Sequence, residues 1–565
     1  MKKAFFPLII FIICVNTMVG QETDFRPPFN YKLYLSGTFA ELRGSHFHSG
    51  IDIKTKQTIG HPVYAIEDGW ISRVKVRAYG FGHALYITHP GGHTSVYAHL
   101  SKFEGKIADV VEQKQYAKES FKINFYPGQN KYPVKKSDII GYSGNSGSSG
   151  GPHLHFEIRD AVTQKPTNAL LYGFDIEDNI APVLQRLRIY PVGEGAAVNG
   201  NPQPQSMYIF KKGKVNHLNT SDVKVSGKIA FGIQTYDQLD GSYNHNGPYR
   251  VSMYADDELF WEFKADRFSF SETRYLNAMI DYASYKQNRH RYYQSYKKPG
   301  NRLSLIAVKN DGLIAFHPGM KKNIRIEVED VAGNLSEVNF TLKGGALLKT
   351  KKQLRGKLMH YNTPNSFKGE GVSISVPAGA LYDTLDFRYH FDEMPNYGYS
   401  KIHYLHNENV PLHKYATISV KVDRLINNGL KDKLTLVRID PKGNKHEEDG
   451  NWNNGWISTK TRDLGAYVVM ADTIKPRIKA LNIFKGKKIS NQDPIRFTVT
   501  DDLSGISYYR GEIDGEWVLF KYFPSRNKLR YDNEKQLSKG SHELKLVVSD
   551  DKNNTSVFQT TFIIE

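Results

Sequence analysis

Apolar and polar side chains alternate with a period of two along much of this chain. The alternation is clearest in one run of five residues: His153, Leu154, His155, Phe156 and Glu157. Side chains two residues apart on a β-strand lie on the same face. The apolar pair is therefore predicted to enter a core, and the three polar side chains are predicted to share the opposite face. Further segments alternate in the same way, with Gly or Pro near their ends: 61–71, 82–89 and 95–100.

Composition supports the prediction of a mainly β chain. Aromatic residues make up 12% of the sequence, with 35 Tyr and 30 Phe, and 47 Gly supply turn positions. This mixture favours strands and turns over helices. A chain of 565 residues is longer than one hydrophobic core usually supports, so we expect several domains. We place them at 21–178, 179–345, 346–472 and 473–565.

The N-terminus has the features of an export signal. Lys2 and Lys3 precede an apolar run at 4–15, and small or turn-forming residues follow as far as Gly20. We assign 1–20 as a signal peptide, because the apolar run is shorter than the ~20 residues of a membrane span and no later stretch is apolar enough to be one. We therefore expect residence in the periplasm or on the outer cell surface, with no transmembrane span after signal removal.

Cysteine content and charge narrow the classes of function. Cys14 is the sole cysteine and lies in the predicted signal, so the mature chain has no disulfide, no cysteine nucleophile and no thiolate zinc ligand. The formal net charge of +18 favours anionic partners such as acidic glycans, cell-wall polymer or lipid headgroups. Because we expect export, we exclude nucleic acid as a partner.

The two histidines on one strand face allow two interpretations. Neighbouring imidazoles suit a metal site with proton transfer, yet a His-x-His pair also occurs on ordinary strand surfaces. The glycine- and serine-rich run at 144–151 lacks the Gly-Lys-Ser/Thr ending of a phosphate-binding loop and leads into a strand, so we predict a tight turn. Upstream, His48 and Asp52 share a face in either extended or helical geometry, and Gly50 between them is predicted to leave room for an ion.

Three separated motifs together resemble one family. They are His48-x-x-x-Asp52, the Tyr-Ala-His-Leu-Ser run at 97–101, and the Gly-Pro-His-Leu-His-Phe-Glu run at 151–157. In order and separation they resemble the LytM and lysostaphin group of zinc metallopeptidases, over about residues 33–160. Residues 104–133, which are polar and partly helix-prone, form an insertion relative to that pattern.

The resemblance implies an antiparallel β-sheet metallopeptidase domain that holds one Zn²⁺ ion. Five residues match the family's functional positions: the zinc ligands His48, Asp52 and His155, and the catalytic residues His99 and His153. Three protein ligands leave the fourth zinc position for a water that is nucleophilic near neutral pH. In this scheme His153 is the general base, and His99 contacts the developing oxyanion or the attacking water. Glu157 is either a partner that orients a histidine or a plain edge residue.

The implied activity is that of an exported endopeptidase acting on the peptide cross-links of peptidoglycan. Two other functions remain open at this level. One is a non-catalytic regulator or envelope scaffold of the same fold, although an inactive copy is free to lose ligands and this chain keeps all five residues. The other is an adhesin in which the β-domains bind envelope proteins, because those domains form most of the chain.

The remainder of the chain is predicted to consist of β-domains. The run at 180–190 recurs at 474–484 with matching core positions, and both repeats continue into alternating strands and an Asp-x-x-x-Asn turn. This pattern is typical of immunoglobulin-like β-sandwiches. The acidic turns permit calcium binding, although we favour plain turn chemistry. Between the repeats, 371–382 weakly resembles the opening of a ZU-type domain, so 346–472 is predicted to be a third β-rich domain.

Overall fold

A computed structural model describes residues 24–220, 222–349 and 354–565. Strands account for 47% of the chain and helices for 8%, which confirms the prediction of a mainly β protein. The predicted signal peptide, 1–20, lies outside the described residues. In the part of the chain that the structure describes, no helix is long and apolar enough to cross a membrane.

The N-terminal region, residues 24–178, contains a large antiparallel sheet and a small one. Its strands, in chain order, are β1 Leu35–Gly37, β2 Ile51–Lys54, β3 Pro62–Tyr64, β4 Gly69–Val76, β5 His83–Thr88, β6 His93–Leu100, β7 Lys102–Phe103, β8 Ile123–Phe125, β9 Pro133–Val134, β10 Ile139–Tyr142, β11 His153–Asp160 and β12 Pro166–Thr167. The large sheet has the order β1-β2-β11-β6-β5-β4-β8, with β12 beside β11 and β9 beside β4, and the small sheet has the order β3-β10-β7. Strand β11 thus lies between β2 and β6. Asp52 is on β2, His48 lies shortly before β2, and His99 is on β6.

The predicted insertion at 104–133 contains helix α1, Gly105–Ala117. Its buried residues are Ile107, Val111 and Gln115, and their spacing of four places them on one face of the helix. On another part of the helix, Tyr116 packs edge-on against Trp517, with 5.1 Å between the ring centroids. The insertion therefore contacts the C-terminal region of the chain. A short 3₁₀ helix, Ala169–Tyr172, closes the N-terminal region.

The second region, residues 179–345, is built on one 11-stranded sheet. Its strands are β13 Val183–Val198, β14 Gln205–Lys212, β15 Val215–Leu218, β16 Val223–Tyr236, β17 Arg250–Ala255, β18 Glu258–Lys264, β19 Tyr293–Gln294, β20 Ile306–Val308, β21 Ile314–Phe316, β22 Lys321–Glu329 and β23 Leu335–Gly344. Its helices are α2 Leu276–Met279, α3 Tyr282–Asn288, and 3₁₀ turns at Thr273–Tyr275 and Asn310–Gly312.

The third region, within 354–472, contains two five-stranded sheets and a two-stranded one. Its strands are β24 Lys357–Met359, β25 Asn365–Gly369, β26 Val372–Val376, β27 Leu385–Phe387, β28 Tyr389–Asp392, β29 Ile402–Leu405, β30 Ala416–Lys421, β31 Leu434–Ile439, β32 Lys445–Glu447, β33 Asn451–Asn453, β34 Trp456–Thr461 and β35 Gly465–Ala471, with a 3₁₀ helix at Asn428–Lys433. The five-stranded sheets have the orders β25-β26-β30-β34-β33 and β28-β29-β35-β31-β32.

The fourth region, residues 473–565, has one four-stranded and one five-stranded sheet. Its strands are β36 Arg477–Ala480, β37 Lys487–Ile489, β38 Ile495–Thr500, β39 Ile506–Ile513, β40 Glu516–Val518, β41 Lys521–Phe523, β42 Lys528–Tyr531, β43 Gly540–Asp550 and β44 Thr555–Ile564, with a 3₁₀ turn at Pro524–Arg526. The sheets have the orders β36-β38-β42-β41 and β37-β44-β43-β39-β40. The immunoglobulin-like topology of the second and fourth regions, and the four domain boundaries, stay predictions.

The N-terminal region shares its cores with the second and fourth regions. Phe39 and Phe47 belong to the same buried cluster as Phe263 and Phe268 of the second region, and Phe47 lies 5.6 Å from Phe268 between ring centroids. On the other side, the core of the large sheet is continuous with that of the fourth region. The chain segment that leads into β2 is therefore held by residues more than 200 positions away.

Candidate metal centre

Three side chains of metal-ligand type converge where β2 meets β11. Asp52 on β2 lies directly opposite His155 on β11 in the strand register, and His48 lies just before β2. His48 Nε2 is 3.0 Å from Asp52 Oδ1 and 2.9 Å from His155 Nδ1, and His155 Nδ1 is 3.0 Å from Asp52 Oδ1. All three residues are buried. Two imidazole nitrogens and one carboxylate oxygen at this separation form a donor set that fits one zinc ion.

The second nitrogen of each clustered histidine, His48 and His155, has its own hydrogen-bond acceptor. His48 Nδ1 donates to the carbonyl oxygen of Thr38 at 2.7 Å, and His155 Nε2 donates to Glu157 Oε1 at 2.8 Å. Each bond directs the other ring nitrogen into the cluster, where the neutral ring offers it as a ligand atom. Such outer partners set the tautomer and orientation of metal-binding histidines.

Asp52 is also anchored through its second oxygen. Arg43 Nη2 donates to Asp52 Oδ2 at 2.9 Å, which leaves Oδ1 for the cluster. Burial raises the pKa of Asp52, but His48, His153 and His155 outweigh burial and hold that pKa well below its usual range. The carboxyl group is therefore anionic at neutral pH, the form in which a carboxylate binds a metal ion.

Glu157 lies behind His155 and is fully buried. Ser49 Oγ donates to its Oε1 at 2.5 Å, and Arg159 Nε donates to its Oε2 at 2.5 Å. Burial alone raises the pKa of Glu157, whereas Arg159 and His155 lower it to about 2. The structure thus places Glu157 as the orienting partner of His155, which is one of the two roles considered from sequence.

Gly50 has a different role from the one predicted. A Cβ atom at this position would lie 2.3 Å from the carbonyl oxygen of Phe156 and 2.8 Å from Glu157 Cγ. The space beside Gly50 is therefore filled by β11, and it does not accommodate an ion. The absence of a side chain lets β2 and β11 approach closely enough to bring Asp52 and His155 together.

The two predicted catalytic histidines lie beside the ligand cluster. The imidazole rings of His99 and His153 are neighbours, with centroids 4.7 Å apart. His153 Nε2 is 3.5 Å from Asp52 Oδ1. His153 Nδ1 donates to the carbonyl oxygen of Gly151 at 2.9 Å. His99 Nδ1 donates to the carbonyl oxygen of Ser146 at 2.8 Å. In both rings Nε2 is left as the basic nitrogen.

The environment of His99 keeps its imidazole neutral. Burial, followed by the neighbouring His155 and His153, lowers the pKa of His99 to about 3. Its backbone has φ of +60°, in the left-handed region that residues other than glycine seldom adopt. This conformation occurs one residue before the end of β6.

The glycine- and serine-rich run forms a packed turn, as predicted. A Cβ at Gly144 would lie 2.3 Å from the backbone nitrogen of Ser101, and one at Gly147 would lie 2.2 Å from the carbonyl oxygen of Gly80. Gly147 also has φ of +73°. These glycines allow the turn to pack against its neighbours, so that the carbonyl groups of Ser146 and Gly151 reach His99 and His153.

The site includes residues that sequence reasoning missed, namely Thr38, Arg43, Ser49 and Arg159. Arg159 was recognisable, since it follows His155 and Glu157 at the two-residue spacing of one strand face. No local pattern marked Arg43 or Thr38. His89, by contrast, contacts the carbonyl oxygen of Asp68 and the hydroxyl of Ser95.

Among the described residues, two further groups of carboxylates come together. They are Asp178, Asp237 and Asp330 in the second region, and Asp472, Asp501 and Asp550 in the fourth. Asn334 Nδ2 donates to the carbonyl oxygen of Asp178 at 3.0 Å and to Asp330 Oδ2 at 2.8 Å. Asn554 makes the same two bonds, to Asp472 at 3.0 Å and to Asp550 at 2.8 Å. The Asp-x-x-x-Asn turn thus ties the start of each repeat to its last strands.

Comparison with known families bears directly on this centre. Residues 46–123 match the model of peptidase family M23, and this range includes His48, Asp52 and His99. The chain carries a peptidase family M23 domain. This confirms the resemblance to the lysostaphin group. A separate match, to the Zu5-like domain, covers residues 356–472.

Relatives of the M23 domain include named peptidases. A DD-carboxypeptidase/endopeptidase, Mpg, of Neisseria meningitidis is 32% identical over 146 residues, which are 26% of this chain and 26% of that protein. Lysostaphin of Staphylococcus simulans is 34% identical over 130 residues, which are 23% of this chain and 21% of that protein. The chain thus spans about a quarter of the length of these relatives. The solved catalytic domain of lysostaphin from Staphylococcus simulans is 32% identical, with a TM-score of 0.17, over 23% of this chain and 80% of that chain.

Proposed function

We propose that this chain is an exported zinc metalloendopeptidase that hydrolyses the peptide cross-links of peptidoglycan. The observation that carries the proposal is the convergence of His48, Asp52 and His155 beside two further histidines in an M23 domain. A zinc ion held by the three ligands would supply Lewis acidity and a bound water of lowered pKa. Related proteins are named as endopeptidases, which supports the reaction class.

His153 is positioned to move the proton of the attacking water. Its Nδ1–H is engaged by Gly151, so Nε2 is the nitrogen that accepts a proton, at the edge of the ligand cluster. After accepting it, the imidazolium can return that proton to the leaving amine. His153 is about one-sixth exposed as a side chain (16%), so it stays accessible to a substrate.

The tautomer of His99 distinguishes between its two possible roles. A neutral ring whose Nδ1–H is bound to Ser146 has only an acceptor at Nε2. An acceptor orients a water by taking a hydrogen bond from it, whereas an oxyanion needs a donor. We infer that His99 orients the attacking water and that it does not donate to the oxyanion in this state.

The complete set of five residues argues against a non-catalytic regulator, and the outer partners Thr38, Glu157 and Arg43 are also in place. The positive charge of the chain, +18, suits an anionic wall polymer. Export rests on the sequence features of 1–20. An adhesive role for the β-domains is compatible with this proposal and is not excluded by it.

The decisive experiment uses purified sacculi and mass spectrometry of the released muropeptides. The wild-type protein, with zinc, should release products that reveal one type of cleaved peptide bond, and chelator or His155→Ala should abolish release. His46→Ala is a matched control, because His46 is exposed and is not among the clustered ligands, so it should behave like wild type. If zinc binds at one ion per chain yet no peptide bond is cut, the endopeptidase proposal is wrong.

A further inference from the structure

The four-stranded sheet of the fourth region has one apolar and one cationic face. In the strand register Arg477 pairs with Thr500 and Lys479 with Thr498. Its apolar face is buried through Ile495, Phe497, Val499, Leu529 and Tyr531. The opposite face carries six cations and, within these strands, no carboxylate: Arg477, Lys479, Arg496, Lys521, Lys528 and Arg530.

Few of these cations are neutralised by the protein. Lys521 and Arg530 form ion pairs with Asp532 at the end of the sheet. Within the described residues, the other four cations have no ion-pair partner. Arg496 lies directly opposite Arg530, and like charges facing each other across two strands are destabilising. An arrangement that costs folding free energy and leaves charge unpaired suits an anionic ligand.

This face borders the glycine- and serine-rich turn that precedes His153. A cavity of about 500 Å³ lies between the two regions, with Arg496, Lys521 and Lys528 on one wall and Asn145, Ser146 and Pro152 on the other. Ser146 is the residue whose carbonyl oxygen holds His99, and Pro152 directly precedes His153. The guanidinium of Arg526, in the 3₁₀ turn between β41 and β42, lies 2.5 Å from the side-chain amide of Asn145, so this end of the sheet contacts the turn that precedes His153.

The dimensions suit an extended peptide. Four strands spaced about 4.8 Å apart span about 14 Å, which is the length of about four residues of extended chain. The cations with no ion-pair partner on this face are exposed, so an approaching chain reaches them without rearrangement of the fold.

We propose that this cationic face, defined by the six residues above, binds the free carboxylates of peptidoglycan peptide stems and guides a stem toward His153 and His99. The inference rests on the proposed function for its choice of substrate. It assigns to the C-terminal region a part of the substrate groove, although that region begins more than 300 residues after the catalytic residues in sequence.

Binding is measured by co-sedimentation of the full-length protein with sacculi from which phosphate polymers have been stripped. Chelator is present throughout, so no hydrolysis contributes to the result. Arg496→Gln/Lys528→Gln should bind about tenfold more weakly than wild type at low ionic strength, as expected for loss of two surface charge contacts. Lys485→Gln/Lys539→Gln, which removes two exposed charges from other parts of the same region, should bind like wild type.

A second arm identifies the ligand group. Sacculi whose carboxylates have been converted to amides should bind the wild-type protein only as well as untreated sacculi bind the double variant. If amidation has no effect, or if the double variant binds like wild type while retaining its melting temperature, the inference is wrong. If binding is seen only before phosphate polymers are stripped, the ligand is a phosphate polymer and the carboxylate assignment is overturned.

The outcome is separable from that of the proposed function. Carboxylate-dependent binding without any cleavage in the presence of zinc would contradict the endopeptidase and leave the binding face in place. Cleavage without carboxylate-dependent binding would contradict the binding face and support the endopeptidase proposal.

Discussion

Glu157 Oε1 lies 2.8 Å from His155 Nε2, so a fully buried carboxylate stands directly behind a predicted zinc ligand. The bond fixes His155 with Nδ1 toward Asp52 and His48. The charge of Glu157 is in turn balanced by Arg159, whose Nε lies 2.5 Å from Oε2. The strand β11 therefore carries, on one face and at every second position, the proposed base, the proposed ligand, the orienting partner of that ligand and the counter-charge of that partner.

Glu157→Gln is expected to weaken zinc binding while His155 itself is unchanged. An amide is a poorer acceptor than a carboxylate and leaves the imidazole less basic, so we expect a loss of about 10–100-fold in zinc affinity. Competition against a chromophoric zinc chelator measures this directly. Arg159→Gln is the control, because it also breaks the buried ion pair but keeps the acceptor at His155. Equal losses of affinity in both variants would show that the effect comes from general destabilisation.

The second region should support the metal centre through Phe268. This ring packs against Phe47, with centroids 5.6 Å apart, and Phe47 directly precedes His48. Phe268→Ala should lower the free energy of unfolding by about 3–5 kcal/mol. It should also weaken zinc binding, because the segment that carries His48 loses its packing contact with the second region. Denaturant unfolding and zinc titration measure the two effects.

Phe231→Ala is the matched control for Phe268. Phe231 is also fully buried in the second region, where it packs against Phe260 and Phe340, which are not part of the N-terminal region. We expect a similar loss of stability with little change in zinc affinity. If both variants bind zinc equally well, the second region does not position His48.

The sequence was sufficient to predict the site where its residues follow a local pattern. The alternation around Leu154 and Phe156 identified a strand and its two faces, and the spacing of His48 and Asp52 placed them on one face. It was insufficient where contacts join distant segments. Nothing near Arg43 signals that it binds Asp52, and nothing near Phe47 signals that it enters the core of another region, because neither contact depends on a periodic pattern.

The same limit explains the role of Gly50 and the cationic face. A glycine between two ligands is compatible with space for an ion or with close approach of another strand, and only the pairing of β2 with β11 decides. Alternation within 477–480 and 495–500 was readable along each strand. Arg496 faces Arg530, and both face the glycine- and serine-rich turn at 144–151. These relationships follow from strand pairing and domain packing, which no single segment encodes.

A zinc-retention assay should distinguish variants of the proposed catalytic histidines from a variant of a proposed ligand histidine. His153→Ala and His99→Ala are expected to lower turnover of sacculi by about 10²–10⁴-fold, as for removal of a general base or its equivalent, while each still binds one zinc ion per chain. His155→Ala should lose both zinc and turnover. Metal content by mass spectrometry, together with the rate of muropeptide release, tests the assignment.

His89→Ala provides the control for these histidine variants, since His89 is buried in the same sheet but bonds Asp68 and Ser95. It should retain zinc and turnover once its folded fraction is taken into account. Loss of zinc in His153→Ala would instead place His153 among the ligands and contradict the division of roles.

The carboxylate cluster of the second region should make stability depend on pH. Burial, then repulsion from neighbouring carboxylates, raises the pKa of Asp237 to about 8, and burial with repulsion from Asp330 and Asp240 raises that of Asp178 to about 7. In the unfolded chain these groups titrate near ~3.9, so between that pH and about 8 the folded state binds more protons and the free energy of unfolding falls as pH rises. In chelator-containing buffer, the melting temperature should therefore fall from pH 6 to pH 9, and Asp237→Asn should flatten that slope, whereas Asp257→Asn, at an exposed position, should leave it unchanged. A wild-type slope that Asp237→Asn does not alter would show that this carboxyl group keeps no proton in the folded protein.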